Sequence, residues 1–136
     1  MKIEFTYDMI FGFPGPNLCL LGNETDFQML GKAIVDLTSA NSEGKISITD
    51  LEFMQLSGEK VKVIFASKPE ANLFGKLINN GEVLLFELDD RYWERLFVFF
   101  ALMSWDKKTY YLNSFEDALK DLDLDQDCHF ICSSEF

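Results

Sequence analysis

The chain has 136 residues, of which 48% are hydrophobic and 15% aromatic, with 14 phenylalanines and a formal net charge of -11. That length and apolar content suit one folded domain that buries roughly two-thirds of its unfolded surface, and they exclude a disordered chain. The negative balance repels nucleic acid and acidic membranes and draws in basic partners.

Residues 2–7 alternate Lys2, Glu4 and Thr6 with Ile3, Phe5 and Tyr7, the period of a half-buried strand. Gly12, Pro14, Gly15 and Pro16 interrupt regular structure, and residues 17–21 re-enter as a short strand. Thr25 is the expected N-cap of a helix, with Asp26 beside its positive end. Phe27, Leu30, Ile34 and Leu37 trace its apolar stripe, which ends near Ala40. Ile46, Ile48, Leu51 and Phe53 suggest a strand over 45–53 with an irregularity near Asp50. Ser57, Gly58 and Glu59 then turn the chain, and Val61, Val63 and Phe65 return as the second arm of a hairpin.

Ser67 and Glu70 have the spacing of a capping box, and Leu73 with Leu77 and Phe74 with Ile78 favour a short helix closed by Asn79-Asn80-Gly81. The same Asn-Gly pair also fits a hairpin turn. Residues 82–88 are β-rich. Residues 91–105 fit a helix or a strand. As a helix, 96–103 would be apolar on every side, which a domain this small rarely encloses; the balance therefore favours a central strand through Leu96 to Phe100. Asp106, Lys107 and Lys108 then turn into a strand over 109–112, Ser114 caps a helix over 115–122, and a strand over 128–133 follows. The expected fold is a single α+β domain over 1–136, a mainly antiparallel sheet packed against two or three helices.

The longest apolar run, 96–103, is far shorter than the ~20 residues of a membrane span. No signal-peptide pattern opens the chain, so a cytoplasmic location is expected. Cys19, Cys128 and Cys132 are few and odd in number, which suits reduced, packed thiols rather than a disulfide framework.

Residues 111–136 hold Glu116, Asp117, Asp121, Asp123, Asp125, Asp127 and Glu135 against a single base, Lys120. Asp121, Asp123, Asp125 and Asp127 alternate like the start of a calcium loop, where carboxylates wrap a hard cation. Counted from Asp121, however, Gln126 stands where the turn needs glycine and Cys132 where a bidentate glutamate closes the site. Counted from Asp123, Cys128 and Ser134 fail in the same places. A solvated acidic edge with Leu122 and Leu124 turned inward is the better reading, and no metal is expected. His129 with Cys128 and Cys132 offers at most three zinc ligands, and strand alternation turns His129 away from both. A Cys19–His129 dyad stays open, because catalytic partners meet in space rather than in sequence.

Glu87, Asp89, Asp90 and Glu94 have Arg91 and Arg95 at hand, which points to a surface ion-pair network rather than a catalytic acid. The chain lacks hydrolase, phosphate-loop and dinucleotide fingerprints, so no catalytic residue and no cofactor is indicated. Its basic residues are scattered, which leaves no nucleic-acid footprint. Tyr92, Trp93, Trp105, Tyr110 and Tyr111 flank the apolar run. Where aromatics surface beside outward, unneutralised aspartates they make a patch suited to a basic protein. The expected partner-binding set is Asp121, Asp123, Asp125, Asp127, Trp105, Tyr110 and Tyr111.

The helix after Thr25, the aromatic-rich run from Phe97 to Phe100 and the aspartates from Asp121 to Asp127 together give the chain a general layout. In that layout it resembles the small acidic immunity proteins that neutralise bacterial toxins. The resemblance implies a non-enzymatic, cytoplasmic bacterial protein that binds a basic partner, with Asp121, Asp123, Asp125 and Asp127 as candidates to mimic phosphate or plug a basic active site. A second expectation is a small domain that holds a hydrophobic ligand in an internal pocket lined by phenylalanines. Oligomeric state is not legible in the sequence.

Overall fold

Among the described residues, two mixed sheets and two helices enclose one apolar core, an α+β arrangement. The structure is a computed structural model that describes residues 1–10, 12–39, 44–105, 119 and 122–134, together with the backbone of 109–111. In the first sheet β1 (Lys2–Thr6) runs antiparallel to β2 (Asn17–Leu21). Outside β1 lies β4 (Gln55–Gly58), parallel to it; beyond β2 lies β9 (His129–Ser133), also parallel, and then β8 (Thr109–Tyr111), antiparallel. The second sheet places β5 (Lys62–Ser67) beside β7 (Val83–Leu88) in parallel. β3 (Lys45–Ser47) and β6 (Asn72–Ile78) flank that pair antiparallel.

The two sheets are joined by aromatic side chains at strand period. Val63 and Phe65 stand opposite Leu84 and Phe86 in register, so all four share the face that becomes core. Phe74 meets Phe86 at 5.0 Å and Phe130 of the first sheet at 5.4 Å between ring centroids, both edge to face. Aromatic pairs in this geometry add about 0.5–1.5 kcal/mol each beyond the area they bury.

α1 (Glu24–Thr38) begins one residue after Asn23, not at the expected cap Thr25. Asp26 N–H donates to Asn23 Oδ1 at 2.9 Å and Asn23 N–H donates to Asp26 Oδ2 at 3.0 Å, a reciprocal capping box that Thr25 does not make. The expected stripe of Phe27, Leu30, Ile34 and Leu37 is buried.

α2 (Asp90–Met103) overturns the strand expected through Leu96 to Phe100. Asp89 caps it by accepting from Arg91 N–H at 3.1 Å. Tyr92, Trp93, Leu96, Phe100 and Met103 recur at helical spacing on its buried side, and Trp93 Nε1 donates to the Ala66 carbonyl at 2.8 Å. A strand is favoured only where every apolar residue must be enclosed. Instead the outer side of the helix, including Val98 and Leu102, is left in water.

The helix expected between Ser67 and Asn79 is also absent. That segment is β6, and Asn79, Asn80 and Gly81 turn the β6–β7 hairpin, the alternative use of the Asn-Gly pair. Ladder register shifts between Phe74 and Lys76 at Gly75, whose φ is +80°. A Cβ there would stand 2.7 Å from Cys128 Sγ, so the bulge requires glycine. The long strand over 45–53 shortens to β3 followed by a 3-10 turn, Ile48–Asp50. The expected antiparallel return survives between β3 and β5, while β4 crosses to the other sheet. The expected turn at 106–108 and the greater part of the expected helix over 115–122 lie outside the described residues. No helix among the described residues is long and apolar enough to cross a membrane.

Candidate interaction surface

Two features of the expected surface fall among the described residues: the aspartates at 123–127 and Trp105. The aspartates lie along the outer edge of β6. Phe74 N–H donates to Asp125 O at 3.0 Å, Asp125 N–H to Asn72 O at 2.9 Å, and Asp127 N–H to Gly75 O at 2.9 Å. Asn72 Nδ2 adds a bond to Asp123 O at 2.7 Å. Alternation then works as expected: Leu122 and Leu124 pack on the core, while Asp123, Asp125 and Asp127 face outward. The segment closes a strand edge that would otherwise present unpaired amides.

The expectation that these carboxylates stand unneutralised needs correction. Lys76 Nζ lies 3.0 Å from Asp125 Oδ1 and 3.5 Å from Asp127 Oδ1. Asp127 Oδ2 accepts from Leu77 N–H at 2.9 Å. The hydrogen bond and charge of Asp125, joined by the charge of Asp127, hold the Lys76 ammonium above its ordinary pKa. Among the described residues, three carboxylates stand against one ammonium, which leaves two net negative charges on the segment. These pairs are open to water, where ion pairs contribute little to stability. Asp121 and the side chains of Tyr110 and Tyr111 lie outside the described residues.

The thiols and the histidine do not form a reactive centre among the described residues. Cys19, Cys128 and Cys132 are buried and free. Burial, with the charge of Glu4, pushes Cys19 up to about 11; burial, with Asp127, pushes Cys128 up to about 12. Burial raises Cys132 well above its ordinary value. All three are therefore thiols rather than nucleophilic thiolates at neutral pH. His129 stands opposite Asn17 in register with its ring 5.1 Å from Phe13, whereas Cys19 stands opposite Ile131. The dyad left open by the sequence lacks an activated thiol.

Trp105 stands two residues beyond the end of α2, and a second surface is formed by the two helices. They run antiparallel, with Phe27 stacked on Phe100 at 6.3 Å and Gly31 meeting Phe97 further along. Gly31 permits this approach, since a Cβ would stand 3.1 Å from Phe97 Cε2. Above the contact lies an apolar groove of about 340 Å³, walled by Gly31 and Val35 on one side and Phe97 and Ala101 on the other. A smaller hollow of about 210 Å³ adjoins it beside Thr38 and Glu94. On α2, Val98 (53% exposed) and Leu102 (50%) stand one turn apart, Trp105 (85%) follows just beyond its end, and Val35 of α1 is 51% exposed. Sequence reasoning singled out Trp105 but missed its companions, because a strand puts 98 and 105 on opposite faces.

The buried phenylalanines, by contrast, pack ring against ring in the core, as Phe65, Phe86, Phe74 and Phe130 do. The apolar hollow between the helices is a surface feature, open beside exposed Gln28 and Lys32. No family model, curated protein or solved structure matches the chain.

Proposed function

We propose that the chain is a non-enzymatic protein-interaction module of the immunity type that its layout resembles, acting in the cytoplasm on a basic partner protein. The observation that carries this reading is the exposure of Trp105, at 85%, next to Leu102 and Val98 on a chain of net charge -11. Tryptophan is enriched among the few residues that dominate binding energy, and an indole this exposed is ready to be covered. The net charge steers oppositely charged proteins toward the surface and raises their rate of encounter. Among the described residues, Asp123, Asp125 and Asp127 contribute two net charges to that field, Lys76 offsetting the third. Three free thiols suit a reducing compartment.

The test is capture of a defined basic protein by the purified chain at increasing ionic strength. Affinity is expected to fall steeply with salt and to fall again on Trp105→Ala. Salt-independent binding that ignores Trp105 would remove the reading.

The groove between the helices favours a second reading, in which it holds a hydrophobic small molecule. Co-purified lipid detected by mass spectrometry of the native protein would support that reading instead.

A further inference from the structure

We infer that the groove between α1 and α2 is the seat of an amphipathic, basic helix contributed by the partner. This rests on the reading above, that the partner is a basic protein, and adds how contact is made.

The shape of the surface argues for a helix. Both walls are helices, with Gly31 and Val35 facing Phe97 and Ala101. The main-chain groups beneath those walls are spent within the two helices, so an extended segment lying there would find no amides or carbonyls to pair with. A helix arrives with its own backbone bonds made and needs only an apolar stripe to offer. From Glu94 to Ser104 the lining on α2 runs for about 15 Å, nearly three turns, with room for anchors at i, i+4 and i+7. Phe97 meets Gly31 across the groove, and Ala101 and Ser104 continue the α2 wall toward the end of that helix.

Charge selects among possible helices. A second copy of this chain would bring another -11 against the same face, and an anionic bilayer is repelled likewise. Lys32 and Glu94 balance each other on the rim, so the groove itself sorts by shape while the long-range field sorts by sign. The occupant that satisfies both is apolar along one stripe and rich in lysine or arginine elsewhere.

Two synthetic peptides of identical leucine and lysine composition, each about 18 residues, test this on the full chain. One spaces its leucines at i, i+3, i+4 and i+7; the other alternates leucine and lysine as a strand would. Trp105 fluorescence and peptide anisotropy report binding. The helical pattern is expected to bind at least about tenfold tighter than the alternating one, and Val35→Ser or Ala101→Gln is expected to weaken it at least about fivefold. Both substitutions keep the charge constant, and thermal melts check that the fold is intact. Equal binding of the two peptides, weakened alike by salt and untouched by groove substitutions, would overturn the groove while leaving the basic-partner reading in place. Failure of both peptides to bind would count against both. Sedimentation showing a dimer disrupted by Val35→Ser would identify a second copy as the occupant and overturn the inference.

Discussion

Lys76 Nζ sits between two carboxylates of the same outward row, 3.0 Å from Asp125 Oδ1 and 3.5 Å from Asp127 Oδ1. It joins β6 to a segment about fifty positions further along the chain, yet all three groups are washed by solvent. Lys76→Met should therefore shift the melting temperature by no more than about 2 °C, because exposed pairs exchange one set of water contacts for another. Asp127→Ala should be worse, since it also removes the acceptor for Leu77 N–H. A loss of about 1 kcal/mol is expected from that hydrogen bond. Asp127→Asn keeps an oxygen in place and should recover most of it. Urea titrations of the three variants give the order.

Gly31 offers a contest between two effects of similar size. Alanine in its place gains about 1 kcal/mol of helix propensity but pushes on the ring of Phe97. Phe97 is only half-buried and has room to give, so Gly31→Ala should change stability little. Gly31→Val adds branching that the ring cannot yield to, and a loss of about 1–3 kcal/mol from overpacking is expected. Thermal unfolding of both variants separates the two cases.

Trp105→Ala should leave folding untouched. A side chain that is 85% exposed has little to lose, and surface substitutions usually stay within about 0.5 kcal/mol. Binding is the sensitive readout: truncation of an anchoring tryptophan typically costs about 2 kcal/mol or more, near thirtyfold in affinity. Calorimetry of the variant against the wild-type partner complex measures both quantities.

Alkaline pH should unfold the chain through its thiols. Cys19 and Cys128 are held as thiols up to about 11 and about 12 in the fold, against an ordinary value of 9.0. Below that ordinary value the thiols are protonated in both states and cost nothing. Above it the unfolded chain ionises first, so stability falls as pH climbs toward the folded values. Urea midpoints measured under reducing conditions from about pH 8 to about pH 10.5 should decline, and Cys128→Ala should flatten the decline. Lys76, raised in the fold, drives stability the same way at still higher pH.

Much of this architecture is written in local pattern. β1, β2, β7 and β9 follow from alternation or short apolar runs, and α1 from its stripe of Phe27, Leu30, Ile34 and Leu37. β6 escapes because its bulge at Gly75 adds one residue to the ladder. Leu73 and Phe74 are then repeated at Leu77 and Ile78, four positions on, which imitates a helical period. α2 escapes for another reason. Its sequence is apolar on more sides than its neighbours cover, and pattern alone cannot say that Val98 and Leu102 are left outside. The groove was unreadable in consequence, since it exists only when α2 is a helix against Gly31. The outward aspartates were legible from their spacing, but their counterion Lys76 was not, being brought beside them only by the tertiary fold.

The strip that covers β6 has a strict phase. Leu122 and Leu124 rest against the core while the odd-numbered aspartates meet water. Insert a single amino acid ahead of Asp123 and that parity inverts, driving carboxylates into hydrocarbon and leucines into solvent. Length variation within this stretch should thus be tolerated only in steps of two.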